Sequence, residues 1–126
     1  MVFNLSNTAR AVVAALALTL PFPAAAGPAT VEAVAVTRSS DGTYQFSVTV
    51  RHADTGWEHY ADAFVVSAPD GTVLGTRTLF HPHVNEQPFT RSLSGVALPA
   101  GLATVRVHAN DSVHGPGPAV TVSIDE

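Results

Sequence analysis

Six histidines and no cysteine decide what chemistry is open to this 126-residue chain. The imidazoles are His52, His59, His81, His83, His108 and His114, and carboxylates lie near them in sequence: Asp54, Glu58, Asp62, Glu86 and Asp111. Imidazole nitrogen with carboxylate oxygen is a donor set for Zn(II) or Cu(II) that needs no sulfur. The lack of cysteine excludes blue-copper centres, iron–sulfur clusters, thiol catalysis and disulfides. The single methionine is Met1, so cleavage of a leader would also remove any thioether ligand for Cu(I).

The sharpest local feature is His81-Pro82-His83. In extended backbone, residues i and i+2 point the same way, and proline stiffens the segment between them. Two imidazoles can therefore be presented together, with a third donor from His114 or His59. The expected ligands are His81, His83, His114 and His59, with Glu86, Asp62 or Asp111 orienting the imidazoles from behind. Other histidines have plainer readings. His108 shares its parity with Thr104 and Arg106 and belongs on an outer sheet face. His52 continues the parity of Val50, and packing under a loop or pairing with Asp54 is the favoured reading. Trp57 beside Tyr60 is either an exposed platform or, preferably, a plug at the end of the core. Arg91 needs an acidic partner, Asp62 or Glu86.

These side chains depend on a β framework. Thr30–Thr37 reads as a strand. Thr43–Arg51 alternates strictly, with Tyr44, Phe46, Val48 and Val50 on one face. Tyr60–Ala68 and Thr72–Phe80 form a hairpin about Pro69-Asp70-Gly71. Phe89–Leu98 is extended, with a bulge expected at Gly95. Ala103, Val105, Val107 and Ala109 alternate in a sixth strand, Asn110–Gly117 reads as a loop, and Val120, Val122 and Ile124 alternate in a seventh. The fold class is all-β, a seven-stranded antiparallel sandwich. Alternate connections of such a sandwich lie at opposite poles. The short turns Ser39–Gly42, Pro69–Gly71 and Pro99–Gly101 fall at one pole. The longer loops His52–His59, His81–Pro88 and Asn110–Gly117 fall at the other with the histidines, where binding sites on rigid scaffolds usually reside.

In strand number and rhythm the chain resembles an immunoglobulin or fibronectin type III sandwich. Leu98–Asn110 (LPAGLATVRVHAN) is similar to the fibronectin segment leading into its sixth strand, although the family's tyrosine would fall on Ala103. The segments Trp57-Glu58-His59-Tyr60-Ala61-Asp62, His81-Pro82-His83 through Glu86-Gln87-Pro88-Phe89-Thr90-Arg91-Ser92, and Asp111–Gly115 resemble a group of small exported bacterial proteins without assigned activity. That resemblance implies export and a shared role for the three segments. Copper–zinc superoxide dismutases are also sandwiches with six histidines and an aspartate in their metal sites, but the spacings here differ.

Residues 1–26 read as a signal peptide: Arg10, an apolar run over Ala11–Leu20, Pro21 and Pro23, then Ala24-Ala25-Ala26. Cleavage would leave one domain, 27–126, of about 100 residues, enough for a single core. With no cysteine after the signal, a lipidated N-terminus is not expected. The net charge of −4 and the absence of any basic run argue against nucleic acid. No basic amphipathic stretch suggests membrane binding after cleavage. There is no G-x-S-x-G or H-E-x-x-H motif, and three loops offer little room for a substrate. The expected protein is a periplasmic or secreted module, not an enzyme, whose partner is a Cu(II) or Zn(II) ion. The alternative is an adaptor that binds a periplasmic protein through the Trp57 loop, with histidines as interface or pH-sensing groups.

Overall fold

A computed structural model describes residues 27–124. The expected signal peptide, residues 1–26, lies outside them. The eight strands are β1 (Thr30–Arg38), β2 (Tyr44–Arg51), β3 (Ala61–Ser67), β4 (Val73–Thr78), β5 (Phe89–Val96), β6 (Thr104–Asp111), β7 (Gly115–Pro116) and β8 (Val120–Ser123), and no helix occurs among the described residues. One sheet has three strands in the order β1-β2-β5. The other has five, with β3 between β4 and β6, and β7 and β8 both pairing with β6. Every pairing is antiparallel.

Alternation along the strands builds the core between the sheets. Tyr44, Phe46, Val48 and Val50 of β2, with Phe89 beside them on β5, are buried and face Phe64 and Val66 of β3 and Val105, Val107 and Ala109 of β6 in the other sheet. The expected bulge is present. Tyr44 pairs with Val96 but Phe46 with Leu93, so β5 carries one residue more than β2 there, and Gly95 takes it up at φ 73°.

Eight strands replace the expected seven because the last one is interrupted. The β7 residues pair with Asn110 and Asp111, those of β8 pair with Thr104 to Val107, and Gly117 N–H donates to Ala109 O at 2.8 Å between them. Gly117 lies against the start of β1, where a Cβ would stand 2.0 Å from Ala29 O. Only glycine fits that approach. The expected loop Asn110–Gly117 is correspondingly shorter, because β6 runs on to Asp111 and the chain turns within 112–114.

The antiparallel order brings the β2–β3, β4–β5 and β6–β7 connections to one rim. Direct bonds join them: Ser112 N–H donates to Tyr60 O at 2.9 Å, and Leu79 N–H to Asp62 O at 2.9 Å. No helix among the described residues is long and apolar enough to cross a membrane.

Candidate metal centre

Two inward-facing rows end at this rim in polar residues. The β2 row Tyr44–Phe46–Val48–Val50 continues to His52, which is 3% exposed. The β6 row Val105–Val107–Ala109 continues to Asp111, which is fully buried. The two come from opposite sheets, so their side chains meet over the end of the core. His59 joins them from the β2–β3 loop, which closes on itself through Thr55 N–H to His59 O at 3.0 Å and His59 N–H to Gly56 O at 3.2 Å. Gly56 has φ 142°, a backbone conformation that glycine adopts readily.

His52, His59 and Asp111 each offer a ligand atom, and these atoms lie within 4.8 Å of one another. His52 Nε2 is 3.4 Å from Asp111 Oδ2, and His59 Nε2 is 3.3 Å from Asp111 Oδ1. Both nitrogens are buried, and neither is aligned for a hydrogen bond. The His52 and His59 rings meet edge to face with centroids 4.8 Å apart. Small rotamer changes would bring such donors to the ~2 Å bonds of a shared ion. The group could hold a metal.

The residues behind it fix the donors. Asp54 Oδ1 lies 2.5 Å from His52 Nδ1. A carboxylate there makes Nδ1 the protonated nitrogen and leaves the Nε2 lone pair for the group, the arrangement that commonly orients metal-binding histidines. The same Oδ1 accepts from Ala61 N–H at 3.0 Å, and Oδ2 accepts from His83 N–H at 2.7 Å. Gln87 joins the same segments, its Oε1 accepting from His52 N–H at 2.9 Å and its Nε2 donating to His83 O at 3.0 Å.

Asp111 sets the electrostatics. Burial alone would raise its pKa, but His114 and Val113 N–H donate to Oδ1 at 2.6 and 2.7 Å, and the nearby His114 and His59 rings lower it further. The balance holds its carboxyl at about 2. It is therefore an anion in a dry place, and no arginine or lysine is paired with it among the described residues. A buried charge of this kind favours a cationic partner.

Its depressed pKa makes a prediction for the metal-free protein. A carboxyl held below its unfolded value of roughly 3.9 stabilises the fold fully above that pH and loses the contribution as pH falls towards 2. Urea midpoints in chelator should drop between pH 4.5 and 2 by a stability loss of about 2 kcal/mol. Asp111→Asn should flatten that slope, and an equal slope in the variant would reject the assignment.

The sequence-predicted residues divide as follows. His59 and Asp111 lie in the central group, Asp111 as a donor as well as an orienting residue. His114 is at its edge, with Nδ1 3.1 Å from Asp111 Oδ2 and its ring 4.9 Å from that of His59. His81 and His83 form a pair of their own, with ring centroids 4.7 Å apart, outside the group of three. Glu86 bonds to Arg91 at 3.1 Å, and Asp62 accepts from Asn110 Nδ2 at 2.9 Å, so their hydrogen bonds go to neighbours other than imidazoles. His108 lies on the outer face of β6 as expected, and burial followed by Arg106 lowers its pKa.

His52 does pair with Asp54 under the loop, and it also turns its second nitrogen to the group. Its parity was the signal that could have found it. Trp57 corrects the expectation of a plug: it is 67% exposed and meets Tyr60 edge to face at 5.6 Å. His83 is buried near the same rim, stacked on Phe89 at 4.0 Å. Phe80, Val84 and Val113 on the neighbouring loops are exposed as well.

No family model matches the chain, and no solved structure matches it. A protein of Halomicrobium mukohataei that carries the name "Putative lipoprotein" is 42% identical over 86 residues, which are 67% of this chain. The chain is similar to 42% of that protein's length, so it spans less than half of the curated relative it matches.

Proposed function

We propose that this protein is an exported metal-binding module, a carrier, buffer or sensor for Cu(II) or Zn(II), with His52, His59 and Asp111 as donors and His114 beside them. The observation that carries this reading is the pair of buried Nε2 atoms, not aligned for a hydrogen bond, beside a fully buried carboxylate that has no arginine or lysine partner among the described residues. Two imidazoles and a carboxylate suit either ion without sulfur, and three protein donors leave a coordination position open for exchange. Export to the periplasm or beyond is supported by the leader-like residues 1–26 and by the name of the relative. An immunoglobulin-like frame is supported by the two antiparallel sheets with β2 and β5 in one and β3 and β6 in the other.

The test is a calorimetric titration with Zn(II) or Cu(II) at pH 7.5 and at pH 5.5. Ligating histidine must be unprotonated, so affinity should fall about tenfold or more across the imidazole range. Absence of saturable binding at pH 7.5 rejects the proposal.

A second reading keeps the Trp57 loop as a docking surface for a periplasmic protein. Its support is the exposure of Trp57, Phe80, Val84 and Val113 on the three loops that surround the group. Apolar side chains collected around a polar centre fit a partner that receives or delivers the ion.

A further inference from the structure

We infer that His81 and His83 form a second, outer site for a divalent transition-metal ion, distinct from the His52–His59–Asp111 group and independent of it. The two rings flank Pro82 with centroids 4.7 Å apart, and neither belongs to the central group. His81 is exposed, and its Nδ1 lies 3.2 Å from Pro82 O. That carbonyl can only accept, so Nδ1 carries the proton and Nε2 holds a lone pair.

His83 supplies the stronger argument. It is 6% exposed, yet neither of its ring nitrogens has a hydrogen-bond partner. Buried polar atoms are nearly always satisfied, and each exception calls for a reason. Loose placement is not the reason here. The backbone N–H of His83 is held by Asp54, its carbonyl by Gln87, and its ring lies 11° from parallel on Phe89. The chain thus fixes an imidazole where phenylalanine would fill the same space without unsatisfied nitrogens. An imidazole fixed in this way, with the His81 ring 4.7 Å away centroid to centroid, is the donor chemistry of a shared cation.

Arg91 opposes a cation, and Glu86 offsets it, its Oε1 accepting from Arg91 Nη2 at 3.1 Å. Two imidazoles with water completing the shell make a site that solvent reaches from the exposed His81 side.

Titrating the purified protein with Cu(II), followed by calorimetry and electron paramagnetic resonance, separates the two sites. The expected result is two equivalents with distinct spectra. His81→Ala should remove the second equivalent, or weaken it beyond the roughly 10–100-fold that loss of an outer hydrogen-bond partner costs. His83→Phe, which keeps the stack on Phe89 and with it the fold, should do the same. In both variants the first equivalent should be unchanged. A single equivalent insensitive to His81→Ala overturns the inference. So does a single equivalent that His81→Ala weakens, because the ring would then serve the central group. Equal loss on His108→Ala would mark adventitious surface binding and overturn it as well. If His59→Ala leaves both equivalents intact while His81→Ala removes one, the central group fails and the outer site stands.

Discussion

Replacing His59 with alanine is expected to abolish the tight first equivalent of Zn(II) or Cu(II) while leaving the domain folded. The His59 side chain is 16% exposed, and Asp111 keeps the Val113 and His114 N–H donors and the His114 ring without it, so truncation removes a metal donor while leaving the buried carboxylate hydrogen-bonded. The bonds that close its turn come from its backbone and survive the change. Loss of one of three protein donors should exceed the roughly 10–100-fold penalty for losing an outer-shell partner, so an affinity loss of at least ~100-fold is expected at pH 7.5. The thermal midpoint of the metal-free variant should stay within a few degrees of the parent, as for changes away from core packing. Binding at parental affinity in a folded variant would remove His59 from the centre.

Asp54→Ala is expected to have the largest effect on stability. One carboxylate holds His52 Nδ1, Ala61 N–H and His83 N–H, and so ties the end of β2, the start of β3 and the β4–β5 loop at a single point. Alanine leaves three buried donors unpaired. Each unsatisfied group costs about 1–3 kcal/mol, and the set acts as one network, so a total loss of about 4 kcal/mol is reasonable. For a domain of this size that lowers the thermal midpoint by roughly 20 °C. The metal should suffer too, because His52 loses the group that fixes its tautomer, and affinity should fall about 10–100-fold in whatever fraction remains folded. Asp54→Asn should be intermediate, since its amide keeps an acceptor for His52 but turns an N–H group towards the N–H of His83. A midpoint within ~3 °C of the parent for Asp54→Ala would show that the rim is held by other contacts.

The alternation of Tyr44, Phe46, Val48 and Val50, and of Val105, Val107 and Ala109, was enough to place two half-buried strands and the core between them. Side chains on a strand alternate by geometry, so burial on one face is written directly into residue order. The same logic placed the bulge at Gly95 and the histidine loops at one pole. It failed at chain ends and edges. Asn110 and Asp111 read as loop because polar residues follow the apolar row, yet Asp111 belongs to that row and is its buried last member. The split of the last strand turned on the contact of Gly117 with Ala29, which no local pattern announces. Trp57, an apolar ring in a polar loop, was expected to pack into the core, but it is 67% exposed and lies edge to face against Tyr60.

Residue order alone determined that the chain is all-β, that it has imidazole and carboxylate but no sulfur to offer a metal, and that its histidine-bearing loops belong at one end. Those are matters of composition and of a period of two, which are local. The tertiary structure decided which histidines share a volume: His52 and His59 around Asp111, with His81 and His83 apart. That choice depends on how two sheets stack and which row of each ends opposite the other. Ångström-scale convergence of side chains from different sheets is set by packing across the core, and sequence spacing carries no record of it.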